Sequence, residues 1–200
     1  MNYLLIVNSI IMLLINLIFF VIYERSKPKT KELLLMVVIC SIAGLGRIIF
    51  AEIPGVQPLT SMVIIMASVA GSIPGFICGA LSALISNMIL GQGLWTLYQM
   101  VAWGLIGVIA GLIGKLIKNR QEVTKCVVFG VYGFIAAYIF SFITDFLSVC
   151  YLGDNVTLAS IIAVYISGFA FAIGHAVFNM IFIFLFYGAI SRRLIRAINR

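Results

Sequence analysis

Charge is what this chain has least of. Only 10% of its 200 residues are Asp, Glu, Lys or Arg, and six of those are acidic. A soluble domain carries about a quarter charged residues, so the composition leaves no room for one. Histidine occurs once and cysteine four times. Cys40, Cys78, Cys126 and Cys150 form no CxxC pair and have no histidine at ligand spacing. They read as small buried residues, not as metal ligands or disulfides. No phosphate-binding loop, HExxH sequence, nucleophile–base pair or carboxylate pair at catalytic spacing occurs. An enzyme is not indicated, no metal or cofactor is called for, and any ATP would be handled by another chain.

Hydrocarbon is what the chain has in excess. It is 64% hydrophobic, with a mean hydropathy of +1.22. This composition predicts an all-α integral membrane protein. The net charge of +7 sits in clusters between apolar spans. A positive-inside bias accounts for that better than nucleic-acid binding does.

Residues 3–22 make a first span without a basic leader or a small-residue cleavage site, so they predict a retained helix, not a signal peptide. Residues 32–50, 95–117, 123–150 and 157–190 are further spans, the last followed by a basic tail. Residues 59–90 are ambiguous, with Gly71, Ser72, Pro74 and Gly75 at their middle. They fit one kinked helix or a tight hairpin. The basic residues decide. With a hairpin, twelve of the thirteen Lys and Arg fall on one side of the membrane, leaving Arg47 opposite. With one span the loops divide four against nine. The hairpin is therefore expected, with Ser72 capping its second arm, each arm short enough to need thinning of the bilayer or shielding by protein. The expected architecture is one extra N-terminal helix (residues 1–24) and a six-helix core (residues 25–200). The N-terminus would lie outside a cell membrane and the C-terminus in the cytoplasm.

On that topology the outer half collects Arg47, Glu52, Gln57, Thr60, Asn87, Gln92, Gln99 and Asp145. Polar groups inside a membrane are costly unless paired or wet. Gly91 and Gly93 permit a turn around Gln92. Beyond it Trp95, Gln99 and Trp103 recur at i, i+4 and i+8, with Tyr98 an i+3 neighbour of Trp95. Rings with amides between them suit a flat organic solute carrying polar groups. An aromatic belt at the membrane surface explains the two tryptophans equally well. The expected substrate site is Arg47, Thr60, Asn87, Gln92, Trp95, Tyr98, Gln99, Trp103 and Asp145. Arg47 has a second reading, as an ion-pair partner of Asp145 or Glu52. His175 and Asn179, at i and i+4, read first as polar glue between helices and second as a cavity floor. The small residues Cys40 and Gly44 give a smooth helix face that could meet a partner protein.

Five stretches also resemble a known family: Gly46-Arg-Ile-Ile-Phe50; Ile53-Pro-Gly-Val-Gln-Pro58; Gly75-Phe-x-x-Gly79 through Ser86-Asn87; Gly91-Gln-Gly-x-Trp-Thr-x-x-Gln99 through Trp103-Gly-Leu-Ile-Gly107; and His175-x-x-x-Asn179. They are similar to substrate-specific S components of energy-coupling factor (ECF) vitamin importers, most of all to the branch associated with cobalamin or other corrinoids. The resemblance implies a subunit that captures a vitamin from outside and delivers it through a transmembrane T component and two ATPase subunits. The alternatives are an S component for another vitamin, such as riboflavin or pantothenate, and a self-sufficient small-molecule transporter.

Overall fold

A computed structural model describes residues 3–199. It contains α1 (Tyr3–Arg25), α2 (Thr30–Ile49), α3 (Pro58–Ala70), α4 (Ser72–Leu90), α5 (Leu94–Leu116), α6 (Glu122–Tyr151) and α7 (Leu158–Asn199), with a 3-10 turn at Gly153–Asn155 before α7. All but α3 are long and apolar enough to cross a membrane. The chain is an all-α membrane protein of several spans.

Backbone chemistry sets the punctuation. Pro58 opens α3, where its missing N–H costs nothing. Gly71, at φ +99°, closes α3 and reverses the chain into α4. The ambiguous stretch is therefore a hairpin, and α3 lies alongside α4. Ser72 does not cap α4. Gly71 holds that position, and the Ser72 hydroxyl instead donates to the Val108 carbonyl of α5 at 3.0 Å. In lipid an accepting carbonyl on a neighbouring helix is worth as much to a hydroxyl as a local cap. At 13 residues α3 spans roughly 20 Å against a hydrocarbon core of about 30 Å. Protein makes up the difference, because every residue from Pro58 to Ala67 is buried.

The last helix differs from expectation in length. The Arg-rich segment after Ile190 is not a tail but a continuation of α7, which runs 42 residues without a proline. Arg192 of this extension pairs with Glu122 at the start of α6, at 2.9 Å. The two small residues of α2 also face inward. Cys40 Sγ lies 3.6 Å from the Cys78 carbonyl of α4, and Gly44 sits against Ile85 and Ser82. The outward face of α2 is Leu34, Val37, Val38, Ile42 and Leu45 instead. Helix α1 leans on α4, α5 and α6. Its Phe19 ring stacks on Phe76 at 3.8 Å, and the Asn16 amide donates to the Leu97 carbonyl.

Helices α4 and α5 touch backbone to backbone. A Cβ at Gly79 would lie 2.5 Å from the Trp103 carbonyl, and one at Gly75 would lie 2.7 Å from the Gly107 oxygen. Small-xxx-small spacing on both helices allows this approach. At Gly79 every obstacle is main chain, which cannot yield. Gly79→Ala should therefore cost about 1–3 kcal/mol, measured as a lower thermal midpoint of the detergent-solubilised protein.

Candidate functional site

Opposite the basic loops, the bundle end is closed by the segments 50–57, 91–93 and 152–157. Two polar assemblies lie beneath them.

The first joins α2, α4 and α5. Arg47 donates to Ser86 Oγ at 2.7 Å and to Asn87 Oδ1 at 2.6 Å, and more weakly to Gln99 Oε1 at 3.4 Å. The Asn87 amide donates to Gln99 Oε1 at 2.8 Å and Thr96 Oγ1 at 3.0 Å. Thr96 Oγ1 donates to Gln92 Oε1 at 2.8 Å. The guanidinium also lies 5.1 Å from the centroid of the Trp103 ring, a cation–π distance. Arg47 thus rests on neutral acceptors and a ring. It is not paired with Asp145 or Glu52; among the described residues the ion pair is Arg192 with Glu122.

The second assembly surrounds a cavity of about 700 Å³ between α6 and α7, bordered by Gln57 of the α2–α3 loop. This volume falls in the range of small-molecule sites, roughly 300–1,000 Å³. Its polar lining is Gln57, Ser141, Thr144, Asp145, Ser148, Ser167 and His175, and its aromatic lining is Phe140 and Phe171. Asp145 accepts from Ser141 Oγ at 2.7 Å and packs directly on Gly168, where a Cβ would collide with the carboxylate. The Gln57 carbonyl oxygen is buried without a partner. An acceptor left so is costly unless something donates to it.

One chain of contacts joins the two assemblies. Trp103 Nε1 donates to Thr60 Oγ1 at 2.8 Å, and Thr60 Oγ1 lies 2.9 Å from His175 Nε2. Thr60 has one proton. Its oxygen accepts from Trp103, and the direction of the contact with His175 follows the imidazole tautomer: Nε2 accepts the Thr60 proton when Nδ1 carries the ring hydrogen and donates to Thr60 Oγ1 when it does not. Phe140 packs against the Trp103 ring at 4.4 Å and meets His175 edge-on at 5.8 Å.

The model of one protein family, described as the ECF-type riboflavin transporter, S component, matches residues 35–182. The chain belongs to that family. No curated protein and no solved structure matches. S components are substrate-binding membrane subunits, not ATPases, in keeping with the absence of a nucleotide-binding motif. The family is the riboflavin one, and the corrinoid expectation gains no support from it.

Within this S component the residues singled out from sequence do not form one lining. Arg47, Asn87, Gln92 and Gln99 are engaged with one another. Trp103 and Thr60 are buried between that cluster and the cavity. Asp145 and His175 line the cavity itself. Trp95 points outward at 43% exposure, its indole N–H donating to the Gly91 carbonyl. Tyr98 is fully buried toward Ser9 of α1 and Cys150 of α6. The stripe divides because a spacing of four advances 40° per step on a 3.6-residue helix. Over eight residues it turns from outside to inside. Asn179 bonds between helices. It donates to the Gly133 carbonyl at 3.1 Å and accepts from Ser61 at 3.1 Å, tying α7 to α6 and α3. His175 is both glue and cavity lining.

The polar stripe of α6 was missed. Ser141, Thr144, Asp145 and Ser148 fall at i, i+3, i+4 and i+7, one helix face by position alone. Ser167, Phe171 and His175 repeat the pattern at i, i+4 and i+8 on α7. Small hydroxyls drew no attention beside tryptophans, although in an apolar helix a hydroxyl stripe marks the wet side.

The α2–α3 loop is seated by Gly55, which is buried at φ +78° and whose Cβ would lie 2.8 Å from the Gly174 carbonyl carbon. Gly174, by contrast, has only ordinary contact around it. Gly55→Ala should lift the loop and raise protease sensitivity near residue 53, while Gly174→Ala should behave as wild type. Limited proteolysis of both variants checks this.

Proposed function

We propose that this S component captures riboflavin in the α6–α7 cavity. The observation that carries the reading is a cavity of about 700 Å³ in which Phe140 and Phe171 stand beside Asp145, His175 and the unpartnered Gln57 oxygen. Riboflavin has a flat fused ring with an imide edge and a polyol arm. The rings offer apolar faces. The carboxylate and the Gln57 oxygen accept from the imide N–H or from hydroxyls, and the serines and Thr144 suit the arm. Pantothenate has no ring to use the aromatic lining. A corrinoid is several times bulkier than a flavin and poorly matched to the space. The Arg47–Asn87–Gln99 cluster holds Trp103, and Trp103 holds Thr60 and His175, so those residues act by positioning the cavity wall.

The positive-inside bias supports a cytoplasmic position for the basic end of the bundle. On that reading the N-terminus and the flavin cavity face outside. Membership of the family supports delivery through a T component and an ATPase pair, with the apolar outward face of α2 as a surface for the former.

Two measurements test the reading. Riboflavin fluorescence should be quenched on titration with the purified protein, and cyanocobalamin should not displace it. Asp145→Asn and His175→Ala should each weaken binding by about tenfold or more, as expected for loss of a buried hydrogen bond, whereas Trp95→Ala should not. A well-folded protein that ignores riboflavin overturns the assignment. For orientation, single cysteines at 155 and 120, on a background without the native cysteines, should label from outside intact cells at 155 and not at 120.

A further inference from the structure

At the end of the bundle opposite the basic loops, the charged side chains are Glu52, Asp145 and Asp154 against Arg47. Arg47 is engaged by Ser86, Asn87 and Gln99 and lies over the Trp103 ring, so it is not free to meet a ligand. Among the described residues that line the α6–α7 cavity, Asp145 alone carries a formal charge, and none is Lys or Arg. The carboxylate accepts from Ser141 Oγ at 2.7 Å and is fixed against Gly168. Ser141 and Ser148 stand one turn to either side of it on α6, and Thr144 precedes it. The hydroxyls that suit a polyol arm therefore surround the one fixed negative charge of the lining.

We propose that Asp145 is a specificity-determining residue that admits the uncharged flavin and refuses its phosphate esters, an inference that rests on the flavin reading of the cavity. A hydroxyl at the end of the arm donates to the carboxylate. Esterified with phosphate, the same position loses its donor and becomes an acceptor carrying about −1.5 to −2 charges near neutral pH. It then faces a fixed carboxylate, with no cation in the lining to offset either group. Two like unit charges about 6 Å apart, at an effective dielectric of about 20, repel enough to lower affinity about a hundredfold. The aromatic rings and the Gln57 oxygen serve both flavins alike, so the difference between them falls on the repulsive group.

The test measures binding of riboflavin, riboflavin 5′-phosphate and the uncharged riboflavin 5′-acetate to the purified full chain by calorimetry. The medium is held at about pH 8, where an ordinary carboxylate is ionised and an ordinary imidazole is neutral. The phosphate ester should bind at least about tenfold more weakly than riboflavin. The acetate ester, which lacks the donor but carries no charge, should bind more tightly than the phosphate ester. In Asp145→Asn the ratio of phosphate-ester to riboflavin affinity should rise about tenfold or more. Glu52→Gln removes an exposed, water-screened acid at the same end but outside the cavity, and should leave that ratio unchanged. An acetate ester as weak as the phosphate, or a ratio unmoved in Asp145→Asn, overturns the proposal. Riboflavin bound, with its phosphate equally tight, overturns this inference alone. A well-folded protein that ignores riboflavin overturns the flavin reading and this inference with it. If Asp145→Asn fails to fold, salt titration of the unaltered protein decides: phosphate-ester affinity that rises with ionic strength while riboflavin affinity stays level supports the repulsion, and a flat response overturns it.

Discussion

The contact that the rest of the structure depends on is the glycine seam between α4 and α5. Main chain meets main chain along Gly75, Gly79, Gly104 and Gly107. Association of helices in lipid has no hydrophobic drive of its own, so it rests on close packing and on hydrogen bonds between helices. With the two helices this close, Ser72 reaches the Val108 carbonyl. Asn87, near the end of α4, reaches Thr96 and Gln99 on α5, and Arg47 of α2 joins them. Trp103 is then fixed on the inner side of α5, where it meets Thr60. The cavity wall is therefore built outward from a seam that contains no polar side chain.

Around that seam the protein disposes of its polar groups in two ways. One group is closed on itself: Arg47, Asn87, Thr96 and Gln99 satisfy one another, and Gln92 joins them through Thr96. The other is left open toward space: Asp145, the hydroxyls of α6 and α7, and Gln57. In a low-dielectric interior the closed set rigidifies. The open set holds binding potential. His175 stands on the border, bonded to Thr60 on one side and lining the cavity on the other.

The fold was legible in the sequence to a large degree, because lipid punishes every exception. Loop charges alone chose the hairpin over the kinked span, and Gly71 marked where it turns. The length of α7 was not legible. Four arginines and two polar residues after Ile190 look like a solvated tail, and the pairing of Arg192 with Glu122, seventy residues away, shows one reason the helix continues to Asn199. The site was legible in part. The sequence named both titratable residues that line the α6–α7 cavity, Asp145 and His175. It mistook conspicuous residues for convergent ones, because Trp95, Gln99 and Trp103 share a spacing but not a side of α5. What separates them is the rotation of the helix against its neighbours, which packing sets.

The unbroken length of α7 has a mechanical consequence. At 42 residues it extends roughly 60 Å, about twice the hydrocarbon thickness. It walls the α6–α7 cavity with Ser167, Phe171 and His175 and a second cavity, at the basic end, with Ser191, Arg192 and Ile195. No proline interrupts it between the two, so bending there would break hydrogen bonds that lipid cannot replace. The helix works as a beam. A displacement at its basic end is carried along it toward the α6–α7 cavity. Opening one mouth while the other holds still is the motion this beam resists, and swinging the protein as a rigid whole is the motion it permits.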